Sequence, residues 1–231
     1  PWQDAHFQIA NSTVPDHASI FWLDKEAVKF ANKNAQHHKP INEQIRALST
    51  GILHRTGLNL LYSADANTDA NTTFINRSAN CLSLTIMTYA LAEQAGFDAE
   101  FQQVHIPEYW TERDGQTFIN SHVNVRIKPN AIMRQQMLLP TTTIVDFDPI
   151  ANRSAVHSNV VNKKRIIAMF YNNLGADALL SYDHNQAYAL FKAAIETDSQ
   201  FADVWINLGL LYKREGLLEA AEVSYQTAIA L

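Results

Sequence analysis

The C-terminal segment repeats itself at a fixed offset, and no other feature of the chain restricts its fold as much. Tyr171 matches Trp205, Leu174 matches Leu208, Gly175 matches Gly209, Ala187 matches Ala221, Phe191 matches Tyr225 and Ala194 matches Ala228, each pair 34 residues apart. A period of that length marks a supersecondary unit stacked on its neighbour. Two antiparallel helices pack closely where small residues face each other. Gly175 or Gly209 on the first helix is therefore expected to meet Ala187 or Ala221 on the second, with the aromatic positions filling the gap to the next unit. The first unit departs from the second at Ala178, where Tyr212 stands, and at Tyr182, where Gly216 stands.

The chain has 231 residues, enough for one medium domain and a small appendage. At 47% apolar and 18% charged it can bury a core and is not a disordered polymer. A net charge of −5, with no basic run longer than Lys163-Lys164-Arg165, argues against a nucleic-acid partner or an anionic membrane surface. Cys81 to Ala92 is the longest apolar stretch worth testing. It is far short of the ~20 residues that span a bilayer, so no transmembrane segment is expected. A single cysteine excludes an internal disulfide, a Cys-rich zinc site and a redox pair of thiols.

Along the N-terminal part, residues 1 to 23 read as irregular. Asp24 is placed to cap a helix through Ala27, Val28, Phe30 and Ala31, and Ile41 to about Leu53 reads as a second helix closed by Gly57. Tyr62 to Asn80 is Asn/Thr/Ala-rich and reads as a long loop. From Asn80 the spacing of Leu84, Met87, Leu91 and Ala95 predicts a helix ended by Gly96. Strands follow at Ala99 to Ile106, Thr117 to Ile127 and Thr142 to Phe147. Turns are expected at Pro107 and Asp114-Gly115, and a short helix around Ala131 to Met137. Helices first, then a helix followed by strands in series, indicate an α+β fold with an antiparallel sheet packed on the Cys81 helix.

That order bears on chemistry. Cys81 falls in the first turn of its helix, where unpaired N–H groups and the positive end of the dipole suit an anionic sulfur. A thiol nucleophile needs a base, and the base needs an orienting acceptor. Asn120, His122 and Asn124 share one face of a strand whose Val123, Val125 and Ile127 point to the core, so His122 is badly placed as packing. Asp146 and Asp148 also share a face near a strand end. No metal site is expected. His37 and His38 are adjacent, while His105, His157 and His184 lack partners at ligand spacing. Asp65, Asn67, Asp69 and Asn71 alternate like calcium ligands but lack the glycine and downstream glutamate of an EF-hand.

The C-terminal units, 171–204 and 205–231, resemble tetratricopeptide repeats, which implies a protein partner bound through them and further repeats in a longer chain. The segments Asn80-Cys81-Leu82-Ser83-Leu84-Thr85, Ser121-His122-Val123-Asn124-Val125 and Ile144-Val145-Asp146-Phe147-Asp148-Pro149 resemble the transglutaminase-like superfamily of cysteine enzymes, which shares its core with papain-type proteases. Over roughly residues 40 to 231 the chain is similar to bacterial proteins that join such a domain to these repeats. The resemblance implies a transglutaminase-like domain over 1–160 and repeats over 161–231, and a weak preference for the bacterial periplasm or envelope. In that family Cys81 is the nucleophile, His122 the general acid/base and Asp146 the orienting acid, with Asp148 the alternative. No cofactor is implied. Ala79 stands where the family often has Gly, and Val123 where an aromatic often follows the His.

Such a triad supports attack on an amide or ester carbonyl of a protein or peptide substrate, with transfer of the acyl group to water or an amine. The Cys81 N–H is one expected oxyanion donor. Asn80 and the aromatics Tyr109 and Trp110 are candidates for substrate contact. The alternative is a transglutaminase-like domain without activity, acting with its repeats as a peptide-binding scaffold.

Overall fold

A computed structural model describes residues 2–36, 38–104, 110–113, 116–119, 122–147 and 157–231, with side chains omitted over 110–119. The chain is α+β and divides into two units. One is continuous, Ala18–Asn162. The other is Lys163–Leu231 together with the N-terminal residues up to His17, so the first seventeen residues belong with the C-terminal helices and not with the domain that follows them.

In the Ala18–Asn162 unit, α1 (Lys25–Ala35) starts where Asp24 accepts a bond from Ala27 N–H at 2.8 Å, and α2 (Ile41–Leu53) buries Ile45, Leu48 and Ile52. The expected loop from Tyr62 to Asn80 is more ordered than its composition indicates. It holds β1 (Leu61–Tyr62), α3 (Ala70–Asn76) and β2 (Ser78–Ala79), with β1 and β2 paired in parallel. Asp69 caps α3 by accepting from Thr72 N–H at 2.8 Å.

The centre of this unit is α4 (Cys81–Gln94). Ten of its fourteen residues are buried, which is why its apolar residues run round the whole helix and not along one stripe. Gly96 ends it at φ +84°, a backbone conformation that costs a side-chain-bearing residue energy. Next come β3 (Asp98–Val104), β4 (Trp110–Arg113), β5 (Gln116–Ile119), β6 (His122–Lys128), α5 (Ala131–Gln135), β7 (Thr143–Val145) and β8 (Ser158–Val161). The single strand expected over Thr117 to Ile127 is two. β4 and β5 pair with each other, Arg113 opposite Gln116, and the turn expected at Asp114-Gly115 lies outside the described residues.

The main sheet is antiparallel in the order β7-β6-β3-β8. Its register opposes Phe101 and Val145 to Val125, and Ala99 to Ile127, giving one apolar face. Tyr89 of α4 stacks on Phe101 with ring centroids 4.2 Å apart, so α4 covers that face. The opposite face carries His122, Asn124, Arg126 and Lys128, with Glu100 of β3 bound to both Arg126 and Lys128.

In the other unit, α6 (Lys163–Leu180) packs on α7 (His184–Thr197), and α8 (Ala202–Arg214) on α9 (Leu218–Ala230). The repeat positions explain the close packing, with one correction. A Cβ on Gly175 would lie 2.6 Å from the Phe191 ring, and one on Gly209 2.7 Å from the Tyr225 ring. The glycines therefore make room for the aromatics of the partner helix, and not for Ala187 or Ala221, which are buried elsewhere on it. Tyr182 and Gly216, which differ in residue type, share a left-handed backbone at φ +60° and +74° where each pair turns. Asn207 Nδ2 donates to Asn172 Oδ1 at 2.9 Å and Arg214 donates to the Leu179 carbonyl at 3.1 Å, tying α8 to α6.

Candidate active site

Cys81 is the first residue of α4, and the cap that starts the helix is Asn80. Its Oδ1 accepts from Ser83 N–H at 3.0 Å and its Nδ2 donates to Asn67 Oδ1. The segment before α4 is fastened to the same turn. Thr68 N–H donates to Ser83 Oγ at 2.9 Å and Asn80 N–H to the Ala66 carbonyl at 3.1 Å. Asn80 is buried with both ends of its amide engaged, and so holds the Cys81 turn in place. At the first two positions of a helix the N–H groups are not used inside it, which leaves those of Cys81 and Leu82 facing outward from the helix end. Cys81 itself is half-buried.

His122 opens β6. Thr85 Oγ1, one turn into α4, donates to the Val123 carbonyl at 3.2 Å and holds the start of the helix against the start of this strand. β7 pairs with β6 through Val145 opposite Val125, so the next residue, Asp146, emerges opposite Asn124. Its carboxylate bridges two side chains of one strand face: Oδ1 lies 2.7 Å from His122 Nε2, and Oδ2 accepts from Asn124 Nδ2 at 2.9 Å. The Cys81 sulfur is the other side-chain group that acts on the imidazole. The His122 side chain is 1% exposed and that of Asp146 5%.

Burial alone would drive the imidazole toward its neutral form. The bonds from Asp146 and Cys81, and the charge each can carry, outweigh it and raise His122 from 6.5 to about 9. At neutral pH the ring is a held cation between a carboxylate and a sulfur. Asn124, buried and fixed on Asp146, is the residue that sequence reasoning saw only as a neighbour of His122. Its signal was the i, i+2 spacing from His122, which puts both on one face.

Compared with protein-family models, with curated proteins and with solved structures, the chain matches none.

Tyr109, Asp148 and Asn120 lie outside the described residues, and of Trp110 only the backbone at the start of β4 is described. Asp69, weighed as a calcium ligand, caps α3; Asn71 Oδ1 accepts from Asp24 N–H at 2.9 Å; and Asn67 receives Asn80. Among the described residues no group of three or more His, Cys, Asp or Glu side chains is gathered to hold a metal ion, and no helix is long and apolar enough to cross a membrane.

Proposed function

We propose that the chain is a thiol-dependent acyl-transfer enzyme of the transglutaminase-like type, with tetratricopeptide repeats that recruit a protein partner. One observation carries the first part: a buried imidazole is bonded to Asp146 at 2.7 Å and is acted on by the Cys81 sulfur, which stands at a helix start with two N–H groups not used inside the helix. Those are the parts that acyl transfer through sulfur needs.

With the proton of the pair already held on His122, the Cys81 sulfur attacks the carbonyl carbon of an amide or ester, forming the C–S bond as the carbonyl oxygen takes the electron pair. The Cys81 N–H is placed to donate to that oxygen. Collapse of the tetrahedral adduct breaks the bond to nitrogen or oxygen, and His122 returns the proton to the departing amine or alcohol. The thioester is then opened by water or by a second amine, whose proton passes to His122 as the C–S bond breaks and the sulfur leaves with the electron pair, which restores the starting pair. Asp146 keeps the ring in place and stabilises its cationic form, and Asn124 keeps Asp146 in place.

The test is the rate of Cys81 alkylation by iodoacetamide between pH 4 and 9, in the wild type and in His122→Ala. The wild type is expected to react at least about tenfold faster than the variant near neutral pH. Equal rates, or no reaction before unfolding, would leave a buried cysteine and remove the catalytic assignment.

A further inference from the structure

Residues 2–17 form no strand and only one short helical turn, Ile9–Asn11, yet their main chain is not left to solvent. Side chains of the helical unit take it up. Tyr188 Oη accepts from Gln3 N–H at 2.9 Å and Asn185 Oδ1 from Gln8 N–H at 2.8 Å. Gln186 answers both groups of Thr13, its Oε1 accepting from the N–H at 2.9 Å and its Nε2 donating to the carbonyl at 2.6 Å. The Tyr171 hydroxyl donates to the Pro15 carbonyl. A side-chain amide that closes both the N–H and the C=O of one residue recognises main chain and is indifferent to the side chain it carries.

Residue type is recognised most closely at Phe7 and Asp4. Phe7 is 4% exposed, stacked on Tyr188 at 4.3 Å and 11°, with the Tyr212 ring 6.1 Å away. Three residues earlier, both Asp4 oxygens receive Lys192 Nζ at 2.8 Å, and the Tyr188 hydroxyl donates to Oδ1 at 2.8 Å. Around Phe7 the residues Asp4, Ala5, His6 and Gln8 are exposed. The segment is therefore held by one buried aromatic anchor, the Asp4–Lys192 pair, the contact of His6 Nε2 with Glu215 Oε2 at 2.7 Å, the stacking of Trp2 on Trp205 and main-chain bonds to side chains. Peptides bound in grooves are held the same way, whereas an element built into a core buries a whole face.

We propose that this face of α7, with its flanks on α6 and α8, is a peptide-recognition site; that residues 3–15 occupy it in cis; and that its external ligand is a protein segment carrying Asp-x-x-Phe in a turn, as Asp4 and Phe7 are carried where the His6 and Phe7 N–H groups bond the Gln3 carbonyl. This rests on the helical pairs being an interaction surface and is independent of Cys81 chemistry. The resident segment sets the threshold for the external one, because a competitor binds only the fraction of molecules whose own segment has left.

The experiment uses the full chain and a fluorescein-labelled synthetic peptide of residues 2–16, followed by anisotropy. Asp4→Ala with Phe7→Ala in the chain empties the site, and the peptide is expected to bind this variant at least about tenfold more tightly than the wild type. Replacing the peptide's phenylalanine by alanine, or adding Lys192→Ala to the chain, should abolish the gain. Equal or absent binding by a folded double variant overturns the proposal. Should that variant not fold, hydrogen exchange of the wild type decides: the Gln8 and Thr13 amides are expected to exchange at least about tenfold faster than those of central α7, and faster again with excess peptide. Rates equal to those of α7 and unmoved by the peptide overturn it. Cys81 alkylation in the same samples reports the acyl-transfer assignment separately.

Discussion

Asp146→Asn keeps the shape of the side chain and removes its charge, so it isolates what the carboxylate does for His122. The folded imidazole is raised to about 9 against an ordinary 6.5, despite the opposing effect of burial. A folded value above the unfolded one means that the native state holds a proton the unfolded chain releases. The resulting stabilisation is complete below about pH 6.5 and is lost as pH rises through about 9. At ~1.4 kcal/mol per pH unit this span sets a ceiling of about 3 kcal/mol. Full use of the ceiling is reasonable for a side chain only 1% exposed. Cys81 also contributes to the rise, which leaves about 1–2 kcal/mol to Asp146. Urea unfolding of both proteins at about pH 6, 7.5 and 9.5 should show the wild type ahead at pH 6 by that amount or more, with the gap narrowing by about 1–2 kcal/mol at the alkaline end. A gap that stays constant with pH would mean that the imidazole is not held as a cation, and the account of the site would fall.

Other outcomes follow from the same geometry. Asn124→Ala frees Asp146 Oδ2 without touching the sulfur, so Cys81 alkylation should slow, but by less than in His122→Ala; an unchanged rate would reduce Asn124 to packing. Gly175→Ala pushes a methyl into Phe191, which is fully buried, while Gly209→Ala pushes one into Tyr225, which is half-buried and can swing aside. The first should cost about 1–3 kcal/mol and the second less, despite the ~1 kcal/mol gained in helix propensity, and thermal denaturation should rank them in that order. Thr85→Val removes the bond to the Val123 carbonyl and leaves that carbonyl short of a partner, with an expected loss of about 1–2 kcal/mol in chemical denaturation.

What could be read from the sequence was what local pattern determines. The α2 boundaries agree with the reading at Ile41 and Leu53, and Asp24, Asn80 and Gly96 mark helix ends in the structure as their residue types require. β8 escaped notice because Ser158-Asn159-Val160-Val161 is a short edge strand whose first three residues are exposed, so no alternation of apolar residues marks it. The order between Tyr62 and Asn80 was hidden for a related reason. A seven-residue helix and two two-residue strands are held by caps and by neighbours, and their own composition is that of a loop. The N-terminal segment joins the helical unit through bonds between residues more than 150 positions apart, such as Thr13 to Gln186 and Gln3 to Tyr188. No periodicity carries that information. For the site, residue types pointed to Cys81, His122 and Asp146, but Asn124 needed the β6–β7 register, which places it opposite Asp146.

That register also makes the site a sensor of its own assembly. Asp146 reaches His122 only because the three residues of β7 are paired with β6, and slipping the pairing by a single residue would turn the carboxylate to the other face of the sheet. On the proposed chemistry, a chain in which β7 is unpaired has no carboxylate held against His122, so the reactivity of Cys81 is expected to depend on the shortest strand of the main sheet being in place. Heating should expose that dependence: an edge strand this brief opens before the body of the sheet, so the protein should fall silent chemically while it is still folded.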